Sequence, residues 1–197
     1  MNFLKKIFGS KSESNPQEPQ DSNLGSLPLD ETFVNNFIQR GGKFLYCTDK
    51  NELLNNFRSI SSEQNWETFK VYKNDLLNED PFDINLEIKC DENSNVFLST
   101  CEFLIGKDGT ILLSSNQIGE CKISKLPENF IVLARTSQIV HNKRDALRGI
   151  NWRAKSVKPT NISTIKYFDL EKLSDDILNN YGHSNSKNLY LLLLEDL

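Results

Sequence analysis

The residues best suited to acid–base chemistry are three carboxylates and one histidine. Glu102, Asp108 and Asp145 lie near the predicted ends of strands or in turns, where an acid/base pair could be built. Carboxylates at such positions more often cap helices or form turns, and the pair Asp108-Gly109 is already explained as the turn of a hairpin. His183 follows Gly182, and the near-neutral pKa of histidine suits a proton donor or an oxyanion partner, although no nucleophile stands beside it.

A basic stretch spans residues 143–158 and carries a net charge of +5 on a chain whose net charge is −4. Its basic residues, which flank Trp152, are Lys143, Arg144, Arg148, Arg153, Lys155 and Lys158. The first interpretation is a solvated helix face, and the second is a site for a small anion or an acidic partner. In that second interpretation, Arg144 and Arg148 would clamp a carboxylate or a phosphate. The acidic balance of the whole chain argues against a dedicated nucleic-acid binder.

The cysteines and histidines do not have the spacing of a metal or redox centre. Cys47, Cys90, Cys101 and Cys121 are far apart, and no pair forms a CxxC motif. With only two histidines, a histidine-rich metal cage is impossible, and the HExxH, GxxxxGK[ST], GxGxxG and GxSxG motifs are all absent. The sequence therefore predicts no resident metal or cofactor, and buried thiols are the simplest interpretation of the cysteines.

Helical and extended patterns alternate in the first half of the chain. A helix is predicted from Leu29, with Asp30 as its N-cap and Gly41-Gly42 as its end, and a strand follows at Lys43–Cys47. Asp49 caps a second predicted helix, and residues 68–72 fit a second strand. This order is typical of βα units on a mainly parallel sheet.

The second half of the chain is richer in strands. Two β-rich runs in residues 95–114 meet across 107–110, where Asp-Gly predicts a hairpin with a tight primed turn. A buried strand is predicted at 129–134, a helix around 144–150, and a strand or a loop at 161–166. Asp169 caps a further predicted helix that ends at Gly182. The uninterrupted apolar run at Asn188–Leu194 suits a strand covered on both faces.

The chain is predicted to be one domain, residues 29–197, behind a tail of residues 1–28. Residues 9–28 have the composition of a linker, and Phe3, Leu4, Ile7 and Phe8 share one face of a short helix. No apolar run reaches the roughly 18 residues of a membrane span, and the N-terminus does not resemble a secretory signal. We therefore expect a cytoplasmic protein.

The middle of the sequence, residues 99–114, resembles the core signature of the LUD domain, the family of lactate-utilisation protein C. Glu102, Gly109 and Thr110 match the acidic residue before an apolar strand and the Gly-Thr turn before the next one. The Leu-Pro segment near 126, the Gly182-His183 pair and the last strand follow in the family's order. This sequence departs from the family pattern at Lys107-Asp108, at residues 161–166, and after His183, where Ser-Asn replaces Gly-Pro.

The resemblance implies the fold of ribose-phosphate isomerase, glucosamine-phosphate deaminase and CoA transferases (the NagB/RpiA/CoA transferase-like superfamily). That fold class is α/β, with a mainly parallel open sheet, helices on both faces and a β-hairpin insertion. Ligands of open α/β sheets bind beyond the carboxyl ends of the strands, so we expect Glu102, the Gly109-Thr110 turn and His183 to lie near a common crevice.

The resemblance also implies an accessory role in the oxidation of lactate to pyruvate, beside iron–sulfur or oxidoreductase partner subunits and without independent catalysis. Two alternatives remain open: a stand-alone binder or enzyme for a small phosphorylated or carboxylated metabolite, and an interaction protein that uses the basic stretch. The candidate ligand-binding residues are Glu102, Gly109, Thr110, Arg144, Arg148 and His183.

Overall fold

The computed structural model describes residues 27–73, 88–154, 157–166 and 187–196, which form a layered α/β fold. Numbered along these residues, the elements are α1 (Leu29–Gln39), β1 (Lys43–Cys47), α2 (Lys50–Glu63), β2 (Thr68–Phe69), β3 (Lys89–Cys90), β4 (Val96–Thr100), β5 (Phe103–Ile105), β6 (Thr110–Leu113), α3 (Ser115–Ile118), β7 (Asn129–Arg135), β8 (Ile139–Val140), α4 (Lys143–Arg153), β9 (Ser163–Ile165) and β10 (Asn188–Leu194).

A four-stranded parallel sheet forms the centre, with the spatial order β1-β10-β7-β4. Strand β10 lies between two neighbours, and Leu191, Leu192 and Leu193 are all fully buried. Because successive side chains of a strand point to opposite faces, such a run requires cover on both faces of the sheet. The strand predicted at the end of the chain is therefore confirmed, as are those at Lys43–Cys47 and 129–134.

Helices α1 and α2 cover opposite faces of this sheet. Phe33 and Phe37 of α1 belong to the hydrophobic core on one face, and Leu53 and Phe57 of α2 belong to the core on the other. Asp49 caps α2 as predicted, and its carboxylate accepts hydrogen bonds from two backbone N–H groups at 2.7 and 2.9 Å. The predicted α/β fold class, with a mainly parallel sheet between helices, is confirmed.

The N-cap predicted for α1 is wrong. Pro28 occupies the N-cap, and Asp30 lies inside the first turn, where its charge still favours the positive end of the helix dipole. At the other end α1 stops before Gly41, whose φ of 86° is left-handed, as the glycine pair predicts.

A second four-stranded sheet, in the order β8-β5-β6-β9, packs on the α1 side of the parallel sheet. Its inner face supplies Leu104 and Ile111 to the shared core. Its outer face carries Phe103 and Leu112, which pack under Ile150 of α4. The chain changes sheets at Cys101 and Glu102, so the single β-rich run predicted before the hairpin is divided between two sheets.

The hairpin β5–β6 is present, but its turn is longer than predicted. Ile105 pairs with Thr110, which leaves the four residues 106–109 in the loop, and Gly109 alone in that loop has a positive φ, 59°. A primed turn has only two residues between the paired positions, so the four-residue loop excludes it. The loop packs against α1 instead: Asn36 Nδ2 donates hydrogen bonds to the carbonyls of Gly106 and Lys107, at 3.0 and 3.1 Å.

Several sequence predictions fall outside the described residues: the short helix within residues 3–8, most of the linker, the helix from Asp169 to Gly182, and His183. The strand predicted at 68–72 is shorter, with β2 ending at Phe69 and Lys70 forming one parallel bridge to Phe97 of β4. None of the helices in the described ranges is both long and apolar enough to cross a membrane.

Candidate functional site

Glu102 is a buried carboxylate at the carboxyl edge of the parallel sheet. It follows β4 and precedes β5, and only 8% of its surface is exposed. Its Oε1 accepts a hydrogen bond from Ser114 Oγ at 2.6 Å and one from Asn116 Nδ2 at 2.8 Å. Both of these hydrogen bonds reach Oε1, and among the described residues none reaches Oε2.

The network around Glu102 is fixed by the start of α3. Ser114 caps this helix, since its Oγ accepts from Asn116 N at 3.1 Å, while Gln117 Oε1 accepts from Ser114 N at 2.9 Å. Gln138 Nε2 holds the backbone from the other side through the carbonyl of Cys101, at 2.6 Å. The carboxylate is therefore anchored by rigid elements on both sides, as a preorganised site requires.

A pocket of about 290 Å³ opens beside this carboxylate. The residues that line it are Glu102, Asn116, Ile150, Arg153, Ala154, Val157 and Pro159. Arg153 ends α4, and its guanidinium lies 4.1 Å from the centre of the Phe103 ring, a cation–π arrangement that fixes its position. The described lining residues thus offer a carboxylate and a guanidinium to a small polar molecule.

The electrostatics of the pocket couple Arg153 to Glu102. Burial lowers the pKa of the Arg153 guanidinium, and the negative charge of Glu102 opposes this effect by raising the pKa. Arg135, at the end of β7, is close enough to lower the pKa of Arg153 further. Because arginine stays protonated at neutral pH even after such a shift, Arg153 presents a permanent positive charge to any ligand.

The neighbouring strand end carries a second anchored carboxylate. Asp196 follows β10, and it accepts hydrogen bonds from Thr136 Oγ1 at 2.7 Å and from Ser137 Oγ at 2.6 Å. Burial would raise the pKa of Asp196, but these hydrogen bonds and the charge of Arg135 hold it below the ordinary value. The carboxyl edge of the parallel sheet therefore alternates acidic and basic groups, at the place where ligands of open α/β sheets bind.

A second pocket, of about 310 Å³, lies at the opposite end of α4. It is lined by Arg40, Ile105, Asp108, Thr110, Lys143, Thr164 and Lys166. Since α4 contains 11 residues, the two pockets are separated by roughly 15 Å along its axis. Glu102 and Thr110 belong to different pockets because they lie at opposite ends of the β5–β6 hairpin.

The structure thus separates the residues expected in one crevice. Glu102 lines the first pocket, whereas Thr110 lines the second, and Gly109 is buried in the turn that packs on α1. Arg144 and Arg148 are exposed on α4 and line neither pocket. The ligand-binding roles of these residues stay predictions, as does that of His183, which lies outside the described residues.

Sequence reasoning missed several residues that the structure brings to the two pockets. Ser114 and Gln117 match the spacing of a capping box, a local signal that could have pointed to the support of Glu102. Arg40 and Lys166 meet through a hydrogen bond from Arg40 Nη1 to the Lys166 carbonyl, at 3.4 Å. No local signal could have paired them, because 126 positions of sequence separate them.

The cysteines of the described residues form no cluster. Cys47 and Cys101 are buried, whereas Cys90 and Cys121 are exposed. Burial raises the pKa of the Cys47 thiol to about 11 and raises that of Cys101 as well. Within the described part of the chain, no group of three or more His, Cys, Asp or Glu residues could hold a metal ion.

Comparison with known proteins identifies a family and a fold. A family model described as the LUD domain matches residues 88–194, which include all the described lining residues of the first pocket and all those of the second except Arg40. The crystal structure of a DUF162 family protein from Deinococcus radiodurans is similar, with 13% sequence identity and a TM-score of 0.58, over 85% of this chain and 96% of that one. At this identity the likeness concerns the fold alone. No curated protein matches the chain.

Proposed function

Because the chain belongs to the LUD domain family, we propose that it serves the oxidation of lactate to pyruvate as an accessory protein beside iron–sulfur partner proteins. The family match over residues 88–194 is the observation that carries this proposal. The matched segment contains Glu102 and Arg153, so the proposed role and the best-anchored pocket lie in the same part of the chain.

The chemistry of the first pocket suits a small 2-hydroxy acid. A guanidinium pairs strongly with a carboxylate, so Arg153 would hold the carboxylate of lactate. The free Oε2 of Glu102 would accept the hydrogen bond of the lactate hydroxyl. A pocket of about 290 Å³ is ample for a three-carbon ligand.

The electrons of this oxidation would be carried by the partner proteins. Metal centres and thiol redox chemistry use the thiolate form of cysteine, and the raised pKa values of Cys47 and Cys101 keep these two buried thiols protonated at neutral pH. The widely spaced cysteines also lack the local spacing of an iron–sulfur motif.

Affinity purification of the tagged chain from its native cells, grown with and without lactate, tests the accessory role. Iron–sulfur and oxidoreductase subunits that co-purify and increase on lactate would support it. A chain that is recovered alone under both conditions contradicts it.

Complementation of a deletion strain tests the pocket separately. We expect Glu102→Gln, which keeps the side-chain shape, and His183→Ala to slow growth on lactate at normal protein levels. The control is Glu63→Gln, at the exposed end of α2 on the other side of the parallel sheet. Normal growth of Glu102→Gln would remove the pocket from the proposed role, and normal growth of His183→Ala would contradict the predicted role of His183.

A stand-alone binder or enzyme for a small phosphorylated or carboxylated metabolite is the second candidate. The opposite charges of Glu102 and Arg153 in one pocket favour the carboxylated class. Saturable binding of a carboxylate by the purified chain, together with recovery of the chain without partners, would favour this function over the accessory one.

A further inference from the structure

We propose that the second pocket, between α1, the β5–β6 loop, α4 and β9, binds the phosphate group of a small molecule. This site does not depend on the lactate role, because it lies at the opposite end of α4 from Glu102. Of the described residues that line it, Arg40, Lys143 and Lys166 are cationic, and Asp108 is the single acid. These described residues together carry a net charge of +2, close to the opposite of a phosphate monoester at neutral pH.

The three cations come from three separate parts of the fold, and the Arg40 side chain is held by a backbone contact. Arg40 caps the end of α1, and its Nη1 donates to the carbonyl of Lys166, just after β9. Lys143 is the first residue of α4, where the positive end of the helix dipole also favours an anion. The fold thus brings three positive side chains to one pocket, where a bound anion would interact favourably with them.

An unpartnered hydroxyl in the wall of the pocket is the second observation. Thr164 Oγ1 is buried, and it has no hydrogen-bond partner among the described residues. A buried hydroxyl without a hydrogen-bond partner destabilises the fold, and such groups are rare in native proteins. In the proposed complex the Thr164 side chain rotates about χ1, so that Oγ1 faces the pocket and donates a hydrogen bond to a phosphate oxygen.

The position of the pocket is defined by tightly packed backbone. Asn36 ties α1 to the β5–β6 loop, and the backbone N–H of Gly106 and of Lys107 donate to the carbonyls of Val140 and His141, just before α4. Thr110 and Asp108 follow from this loop, and their oxygens would recognise hydroxyl groups on the rest of the ligand. The site is therefore preformed in the fold.

Calorimetric titration of the full chain with inorganic phosphate tests the proposal, at an ionic strength kept constant with potassium chloride. We expect saturable binding at one site per chain. Lys143→Gln and Lys166→Gln should each weaken binding about tenfold, as expected for the loss of one charge-assisted contact. The matched control is Lys122→Gln, an exposed lysine that lines neither pocket, and it should bind as the wild type does.

Two further variants keep the test decisive if a lysine variant fails to fold. Asp108→Asn removes the one acid among the described lining residues and should tighten phosphate binding. Thr164→Val removes the hydroxyl at nearly constant shape and should weaken binding. The proposal is overturned by the absence of saturable binding, or by equal weakening in Lys122→Gln. It is also overturned if lactate, a monoanion, binds this site as tightly as phosphate does.

Discussion

Replacement of Ser114 by alanine removes two interactions at once, and their sizes follow from the structure. Ser114 is fully buried, donates to Glu102 Oε1 at 2.6 Å, and accepts from Asn116 N as the cap of α3. Loss of a helix cap costs about 1 kcal/mol. Loss of a buried hydrogen bond to a charged acceptor costs about 1.5–3 kcal/mol. We therefore expect Ser114→Ala to lower the free energy of unfolding by about 3 kcal/mol.

Urea unfolding at pH 7, followed by circular dichroism, measures this change, and a double-mutant cycle with Glu102→Gln separates its parts. A neutral amide oxygen at position 102 still accepts a hydrogen bond, worth about 1 kcal/mol, so Ser114→Ala should cost only about 2 kcal/mol in that background. The control is Asn142→Ala, which removes the single cap bond of α4 and should cost about 1 kcal/mol.

Two results would refute this reasoning. If Ser114→Ala costs no more than Asn142→Ala, the serine acts only as a cap and does not support the carboxylate. If its cost is the same with Glu or Gln at position 102, the charge of Glu102 does not strengthen the hydrogen bond.

Three further predictions concern other parts of the fold. Gly109→Ala should destabilise the chain by about 2–4 kcal/mol in the same unfolding assay. The reason is that Gly109 has a positive φ and that an added Cβ would lie 2.4 Å from the backbone of α1. A cost below about 1 kcal/mol would contradict this packing. Burial raises the pKa of Cys47 to about 11, so this thiol ionises at a lower pH in the unfolded chain than in the folded one. The free energy of unfolding should therefore fall between about pH 9 and 11. Measured in the presence of reductant, this fall should be smaller in Cys47→Ala, and an equal fall would contradict the raised pKa of Cys47. The pKa of Asp196 is held below its ordinary value, so the ionised carboxylate stabilises the fold above the ordinary pKa, and this effect is lost as the pH falls through the folded-state pKa. Asp196→Asn should therefore be less stable than the wild type at pH 7 and equally stable in acid. A difference that persists in acid would contradict this explanation.

The elements that the sequence predicted best are those whose signals are local. Asp49 and Gly41 mark a helix start and a helix end by short-range geometry, and the apolar run at Asn188–Leu194 requires a strand buried on both faces wherever it lies. The N-cap prediction for Asp30 was wrong because the helix begins at Leu29, one residue before Asp30, after Pro28, whose side chain makes no capping hydrogen bond.

The loop length of the β5–β6 hairpin could not be predicted from the residues of the hairpin alone. Asp108-Gly109 favours a primed turn in isolation, but in the fold the loop lengthens to four residues so that Asn36 of α1 can bond to it. The β-rich run before the hairpin resembles one continuous strand in the sequence. In the fold it is interrupted at Cys101, because β4 pairs in the parallel sheet and β5 pairs in the second sheet. Neither change has a signal inside the segment, since both depend on residues far along the chain.

The sequence by itself determined the class of fold and the family, and it singled out Glu102 as a candidate site residue, because hydrophobic period, caps and motif order are properties of neighbouring residues. Only the tertiary structure decided that Glu102 and Thr110 lie at opposite ends of a hairpin, and that Arg40, Lys143 and Lys166 share one pocket. The reason is that a pocket is made by distant segments whose approach is set by the packing of two sheets and a helix. The sequence therefore specifies the chemical group that each residue carries, whereas the fold determines which other residues lie beside that group.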